Sequence, residues 1–208
     1  MVQIVREHGQ TTLFVEFSGG VPLDRLIHQP MEIGRFLRLA ATMASALGRL
    51  HRCGLVHKDI KPSNVMVSSE GRVVILDMGL AVETNDSRYR NSQRELAGTP
   101  YFMAPEQARG ESITAAGDWY AVGGMVFEAL SGERAFQARQ LDALLKEKTA
   151  AARPSPRDVL SAVPEDLNRL CCDLLRPLPQ DRPTGAEVLK RLVGHSASSV
   201  ESAVWIGR

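Results

Sequence analysis

Residues 57–64 read His57-Lys58-Asp59-Ile60-Lys61-Pro62-Ser63-Asn64. The run sets a carboxylate, an ammonium group and an amide within one short loop, a grouping suited to aiming a hydroxyl and offsetting phosphate charge. Its flanks constrain the fold. Upstream, Ile33, Phe36, Leu37, Ala40, Met43, Leu47 and Leu50 recur at helical spacing and form one apolar face over residues 33–51. Gly54 stands just past that helix, where a left-handed C-cap is wanted. Downstream, residues 65–67 and 73–76 flank Ser68-Ser69-Glu70-Gly71 and read as a hairpin. The loop is therefore expected between a long amphipathic helix and a pair of short strands.

The rest of the chain is read by the same rules. Residues 2–6 and 12–17 are β-prone and joined by Glu7-His8-Gly9-Gln10, a first hairpin. Ser18-Gly19-Gly20-Val21-Pro22 breaks the pattern, and Asp24 is placed to cap a short helix running to His28. Residues 81–97 are polar and aperiodic, as in a loop. Residues 119–130 are apolar nearly all round and predict a buried helix. The last third is helical. Leu141, Leu144 and Leu145 mark one helix; Leu167, Leu170, Cys171, Leu174 and Leu175 mark another between Pro164 and Pro177. Thr184 and Glu187 have capping-box spacing before Val188, Leu189 and Leu192. From His195 the chain is Ser-rich with little periodicity, so residues 195–208 read as a tail or linker.

A chain of 208 residues can bury one sizeable core. Its 25 Lys and Arg against 24 Asp and Glu give no electrostatic case for nucleic acid or an anionic membrane. No apolar run is long enough to span a bilayer, and the N-terminus has no basic-then-apolar leader pattern, so a cytoplasmic location is expected. Cys53, Cys171 and Cys172 have no zinc-ligand spacing and fit free thiols in a reducing compartment.

Two further motifs follow the first in order: Asp77-Met78-Gly79, then Gly98-Thr99-Pro100-Tyr101-Phe102-Met103-Ala104-Pro105-Glu106. The set resembles the catalytic loop, metal-binding motif and Ala-Pro-Glu end of the activation segment in eukaryotic-type Ser/Thr protein kinases. The resemblance covers roughly residues 2–193. It implies an α+β, protein-kinase-like fold: a mostly helical C-lobe with a remnant β-hairpin of the N-lobe. Residues 1–194 would form a partial kinase domain, with 1–18 the N-lobe remnant and hinge and 19–194 the C-lobe. No Gly-rich loop and no Val-Ala-x-Lys strand precede the motifs in these residues, so the expectation is a truncated kinase.

Site roles follow from the resemblance. Asp59 matches the catalytic Asp, Lys61 the residue beside the γ-phosphate, and Thr99 the threonine bridging the two. Asn64 and Asp77 match the Mg²⁺ ligands. Glu16 and Ser18 resemble the hinge that meets adenine, with Val15 behind the base and Met66 beneath it; plain core packing fits Val15 and Met66 equally well. His57 matches a packed structural histidine. Asp118 matches the buried Asp that ties down the loop backbone, and it could also serve as a helix N-cap. Glu106 and Arg182 match a buried ion pair. Lys58 stands where the family has arginine, and a point charge clamps a phosphorylated loop less well than a guanidinium; Ser87, Tyr89 and Ser92 are the loop's hydroxyls. Met78 replaces the usual phenylalanine and can fill a similar gap.

The implied activity is transfer of the γ-phosphate of ATP to Ser/Thr hydroxyls of a protein in signalling, with ATP and Mg²⁺ as cofactors. The alternative is a catalytically weak or inactive kinase-like binding module. Residues 19–26 and 33–40 further resemble the kinase module at the front of large bacterial signalling proteins, where an ATPase module and a sensor histidine kinase follow; those modules are possible partners on that basis.

Overall fold

The structure is a computed structural model that describes residues 2–7, 10–15, 19–83, 100–150 and 153–203, with side chains over 19–82, 100–150 and 153–194. Thr99, Glu16, Ser18 and the hydroxyls of Ser87, Tyr89 and Ser92 lie outside the described residues, as does the side chain of Val15.

Helix α1 (Ile33–Arg52) begins at Glu32, whose carboxylate accepts from the N–H groups of Gly34 and Arg35, both at 2.7 Å. The same bonds hold the Glu32 carboxyl below its ordinary range. The periodic face buries Phe36, Leu37, Ala40, Met43 and Leu47, while Ile33 and Leu50 pack at its edges. Gly54 follows at φ +74°, a backbone region that only glycine enters freely. The short helix expected at Asp24 is instead a 3-10 turn over Leu23–Arg25, entered from Pro22, and no side chain caps it. Pro22 supplies φ −59° and is already paired in a strand, so the turn starts before Asp24 is in a capping position.

The strands are short. Strands β1 (Val2–Glu7) and β2 (Gln10–Val15) form an antiparallel hairpin from Val2↔Val15 to Glu7↔Gln10. Strand β3 (Val21–Pro22) pairs with β5 (Val65–Val67), which pairs with β6 (Val73–Ile75), giving a three-stranded sheet. Strands β4 (Leu55–Val56) and β7 (Val82–Glu83) pair antiparallel.

After α2 (Pro105–Ala108) comes α3 (Ala115–Ser131), buried along nearly its whole length. Each side chain of Val or Leu size removed from water there contributes roughly 1.5–3 kcal/mol. Its N-cap is Thr114, whose hydroxyl accepts from the Ala116 N–H at 3.3 Å. That corrects the capping role for Asp118, which sits a full turn inside the helix. Helices α4 (Leu141–Thr149), α5 (Pro156–Val159), α6 (Glu165–Leu174) and α7 (Gly185–Ala203) complete the chain.

Helices α3 and α6 meet at Gly123, where a Cβ would stand 2.8 Å from Leu174 Cβ. Helix α7 packs on α1. It opens with the capping box: Thr184 N–H and hydroxyl both donate to Glu187 Oε2, at 2.7 and 2.8 Å. The helical backbone continues to Ala203, so the irregular tail expected from His195 is helical for most of its length. Ala197, Glu201 and Ala203 stand there, and both residue types favour helix over loop. One core joins α1, α3, α6 and α7 through Leu47, Met125, Leu170, Leu174 and Val188. Among the described residues no helix is long and apolar enough to cross a membrane.

Candidate active site

Asp118 organises the loop after β4. It is 1% exposed on α3, in the middle of the core. Its Oδ2 accepts from the His57 N–H at 2.8 Å and its Oδ1 from the Lys58 N–H at 2.8 Å. His51 Nε2, at the end of α1, lies 2.8 Å from the same Oδ2. Lys58 has φ +71°, a left-handed conformation that costs a residue with a Cβ about 1–2 kcal/mol. The Asp118 carboxylate holds that residue from its N–H, and Gln107 Nε2 donates to its carbonyl at 2.8 Å.

The loop then presents its polar side chains together. Asp59 Oδ2 receives Lys61 Nζ at 2.5 Å and Asn64 Nδ2 at 3.1 Å, and Asn64 Nδ2 also donates to the Asp59 carbonyl at 2.9 Å. Asp59 and Asn64 are 7% and 8% exposed, so this cluster lies in a recess. His57 is fully buried; its Nδ1 accepts from the Asp59 N–H at 3.3 Å, which leaves Nε2 to donate to the Leu76 carbonyl at 2.9 Å. It thus links the loop to Leu76, the residue after β6.

The Leu76 N–H donates to the Asn64 carbonyl at 2.8 Å, placing Asp77 one residue beyond Asn64's cross-strand neighbour. Asp77 is exposed, at φ +63°, and accepts from the Gly79 N–H at 3.4 Å. Among the described residues no three His, Cys, Asp or Glu side chains gather as a metal cage. An Asn amide and an Asp carboxylate are nonetheless hard oxygen donors of the kind Mg²⁺ accepts alongside water and phosphate. Met66 is half-buried on β5, opposite Pro22 and Val74.

Below the loop, Glu106 and Arg182 form a bidentate pair at 2.6 and 2.8 Å, with side chains 2% and 0% exposed. The remaining guanidinium hydrogens go to the carbonyls of Ala116, Arg176 and Pro177. Every charge in this pair is therefore matched, the condition under which a buried ion pair is tolerated.

Sequence reasoning missed three participants. His51 and Gln107 touch the loop from distant elements, and Lys148 is buried beside Glu106 and Arg182. Burial pulls the Lys148 ammonium from its ordinary 10.5 down to about 7, with Glu106 opposing and Arg182 reinforcing the shift. A signal for Lys148 existed: it stands four residues after Leu144 and seven after Leu141, on the apolar side of its helix.

A helical lobe with a polar catalytic loop tied to its central helix defines the class. A family model described as the protein kinase domain matches residues 1–193, and the chain belongs to that family. It is 32% identical over 189 residues to a DNA damage-responsive serine/threonine-protein kinase, RqkA, of Deinococcus radiodurans, covering 89% of this chain and 28% of that protein. It is 30% identical to serine/threonine-protein kinase pkn3 of Myxococcus xanthus, covering 88% of this chain and 36% of the relative. It is also 30% identical to PknB of Mycobacterium tuberculosis, covering 87% and 30%. The chain thus spans about a third of the length of these relatives.

Proposed function

We propose that this kinase domain transfers the γ-phosphate of ATP to Ser or Thr hydroxyls of a protein. One observation carries the reading: the Asp59 carboxylate is held between Lys61 and Asn64 on a loop whose backbone is pinned by Asp118. Asp59 orients the acceptor hydroxyl and takes its proton. Lys61 offsets charge at the phosphate being transferred, and Thr99 bridges these two residues. Asn64 and Asp77 would hold Mg²⁺, which supplies charge neutralisation at the phosphates when bound. Glu16 and Ser18 offer the hinge contacts to adenine, with Val15 and Met66 against the base. Glu106, Arg182, Asp118 and His57 act through the backbone they hold.

The Ser/Thr preference rests on the names of the relatives and on Lys61, two residues after Asp59. Signalling in the cytoplasm, and attachment to ATPase and histidine-kinase modules, belong to the same proposal and rest on the sequence resemblance alone.

A second reading has its own observation. These 208 residues contain no Gly-rich loop and no Val-Ala-x-Lys strand, so a polypeptide of these residues alone lacks the grip on the α- and β-phosphates and would act as a binding module. Radiolabelled phosphate transfer from Mg–ATP separates the two. The 208-residue polypeptide is compared with the same residues preceded by a kinase N-lobe. We expect little transfer from the first and clear transfer from the second. In the second, Asp59→Ala lowers the rate about 10²–10⁴-fold, the usual worth of a positioned general base. Transfer that survives Asp59→Ala, or none from either protein, sinks the kinase reading.

A further inference from the structure

Helix α1 gives one face to the core and carries a repeated motif on the other. Gly34-Arg35-Phe36-Leu37-Arg38 and Gly48-Arg49-Leu50-His51-Arg52 share the pattern Gly-Arg-apolar-x-Arg, fourteen residues apart. Phe36 and Leu37 enter the core, Leu50 packs at its edge, and His51 turns in to Asp118. Arg35, Arg38, Arg49 and Arg52 are exposed. Fourteen residues make nearly four helical turns, so both arginine pairs lie on one side of α1, about 21 Å apart along its axis. Within each pair the arginines stand three residues apart and are surface neighbours. The guanidinium of each second arginine lies over the glycine that opens its motif: a Cβ would stand 3.5 Å from Arg38 Nη1 at Gly34 and 3.6 Å from Arg52 Nη1 at Gly48.

The stripe has no counter-charge of its own. Helix α1 contains no Asp or Glu. Among the described residues, none of the four arginines makes an ion pair. Glu32, the N-cap, acts electrostatically on Arg38, but its two oxygens are engaged by the N–H groups of Gly34 and Arg35. Between the pairs the outer side is neutral. It presents Thr42, Ser45 and Ala46, and the Thr42 hydroxyl is turned back to the Arg38 carbonyl at 2.8 Å. The positive charge therefore comes in two groups with a neutral span between them.

We propose that the outer face of α1 is a docking surface for an acidic segment of a partner polypeptide, held at two points by Arg35 with Arg38 and by Arg49 with Arg52. A guanidinium takes a carboxylate through two parallel N–H bonds, and a polypeptide can group its carboxylates to match. Duplex nucleic acid and an anionic bilayer spread their charge evenly and draw no advantage from a neutral gap. They would also meet the rest of a molecule whose 25 basic and 24 acidic residues nearly cancel. Beyond about 8 Å the field of the stripe is screened at physiological salt, so the segment must lie along the helix itself. The assignment does not rest on phosphate transfer.

The test follows the anisotropy of a fluorescein-labelled, alanine-based peptide with the full chain at low salt. The peptide carries two pairs of glutamates, each pair three residues apart, with the pairs fourteen residues apart. A control of the same composition sets its pairs seven residues apart. The full chain should bind the first peptide at least threefold more tightly than the control, and more weakly as salt rises. Arg35→Gln with Arg38→Gln, or Arg49→Gln with Arg52→Gln, should raise its Kd about three- to tenfold, the worth of two exposed ion pairs, and erase the preference between the peptides. Surface substitutions of this kind leave the fold intact. No binding of the first peptide, equal affinity for the two peptides, or a Kd unmoved by both double variants overturns the proposal. So does arginine-dependent binding of duplex DNA or of phosphatidylserine vesicles that is tighter than that of the peptide, which would give the stripe to another class of partner. Self-association in sedimentation that both double variants abolish would assign the face to a second copy of this chain, and overturns the proposal as well.

Discussion

At the scale of single residues, the buried charges fall into two kinds. The Glu106–Arg182 pair is fully matched, so removing one partner strands the other in the core. Glu106→Ala should destabilise the fold by about 3–5 kcal/mol, read as a clear drop in Tm; an unchanged melting curve would mean that the pair adds nothing. Lys148 behaves oppositely with respect to protons. Its pKa falls from 10.5 in the unfolded chain to about 7 in the fold, through burial and Arg182 against the pull of Glu106. Between those values the unfolded chain binds the proton and the folded chain does not, so this group's contribution to stability grows as pH rises from 7 towards 10.5 and is lost as pH falls back through that window. Burial pushes the Tyr120 phenol well above its ordinary range, so it does not ionise across the range used for the comparison with Lys148→Met. The wild type should gain stability relative to that variant from pH 7 to 10 in thermal melts, and parallel curves would reject the shift. Asp59, Asn64, Glu106, Asp118 and Arg182 were singled out in the sequence through the family resemblance, and the structure brings Asn64 to Asp59, Arg182 to Glu106 and the loop backbone to Asp118. Lys148, His51 and Gln107 were not singled out. Their partners lie 45 to 67 residues away, and nothing local marks a lysine as buried except its place on an apolar face.

At the scale of elements, helices were the easiest to read and short strands the hardest. The apolar face of α1 and the all-round apolarity of α3 each persist for several turns, so periodicity identifies them. Strands β3, β4 and β7 are two residues each, too short for any alternation to register. Asp24 misled because capping preference is local, whereas Pro22 and its strand pairing set where the turn begins. The α3–α6 contact turns on one missing side chain. A Cβ at Gly123 would also come 3.1 Å from Leu175, and backbone and Leu174 would have to separate to admit it. Gly123→Ala should therefore destabilise by about 1–3 kcal/mol through overpacking; a Tm equal to wild type would show that the helices part without cost. Gly194→Ala is the matched control, because nothing lies within 4 Å of that position.

At the scale of the whole molecule, the described β1–β2 pair forms a two-stranded sheet, and a hairpin of that size is marginal in water. Its edges can recruit another chain. Sedimentation of the 208-residue polypeptide should show self-association that weakens when residues 2–15 are deleted, and a clean monomer at high concentration would contradict this. The link between Asp118 and the loop has a different reach. The carboxylate that shapes His57 and Lys58 is rooted in α3, which is buried along nearly its whole length, so opening the loop at these two residues breaks its bonds to that helix. Heat should therefore extinguish its chemistry and its tertiary structure at the same temperature. Variants selected for working in the cold could not loosen the loop separately; they would have to soften the entire lobe.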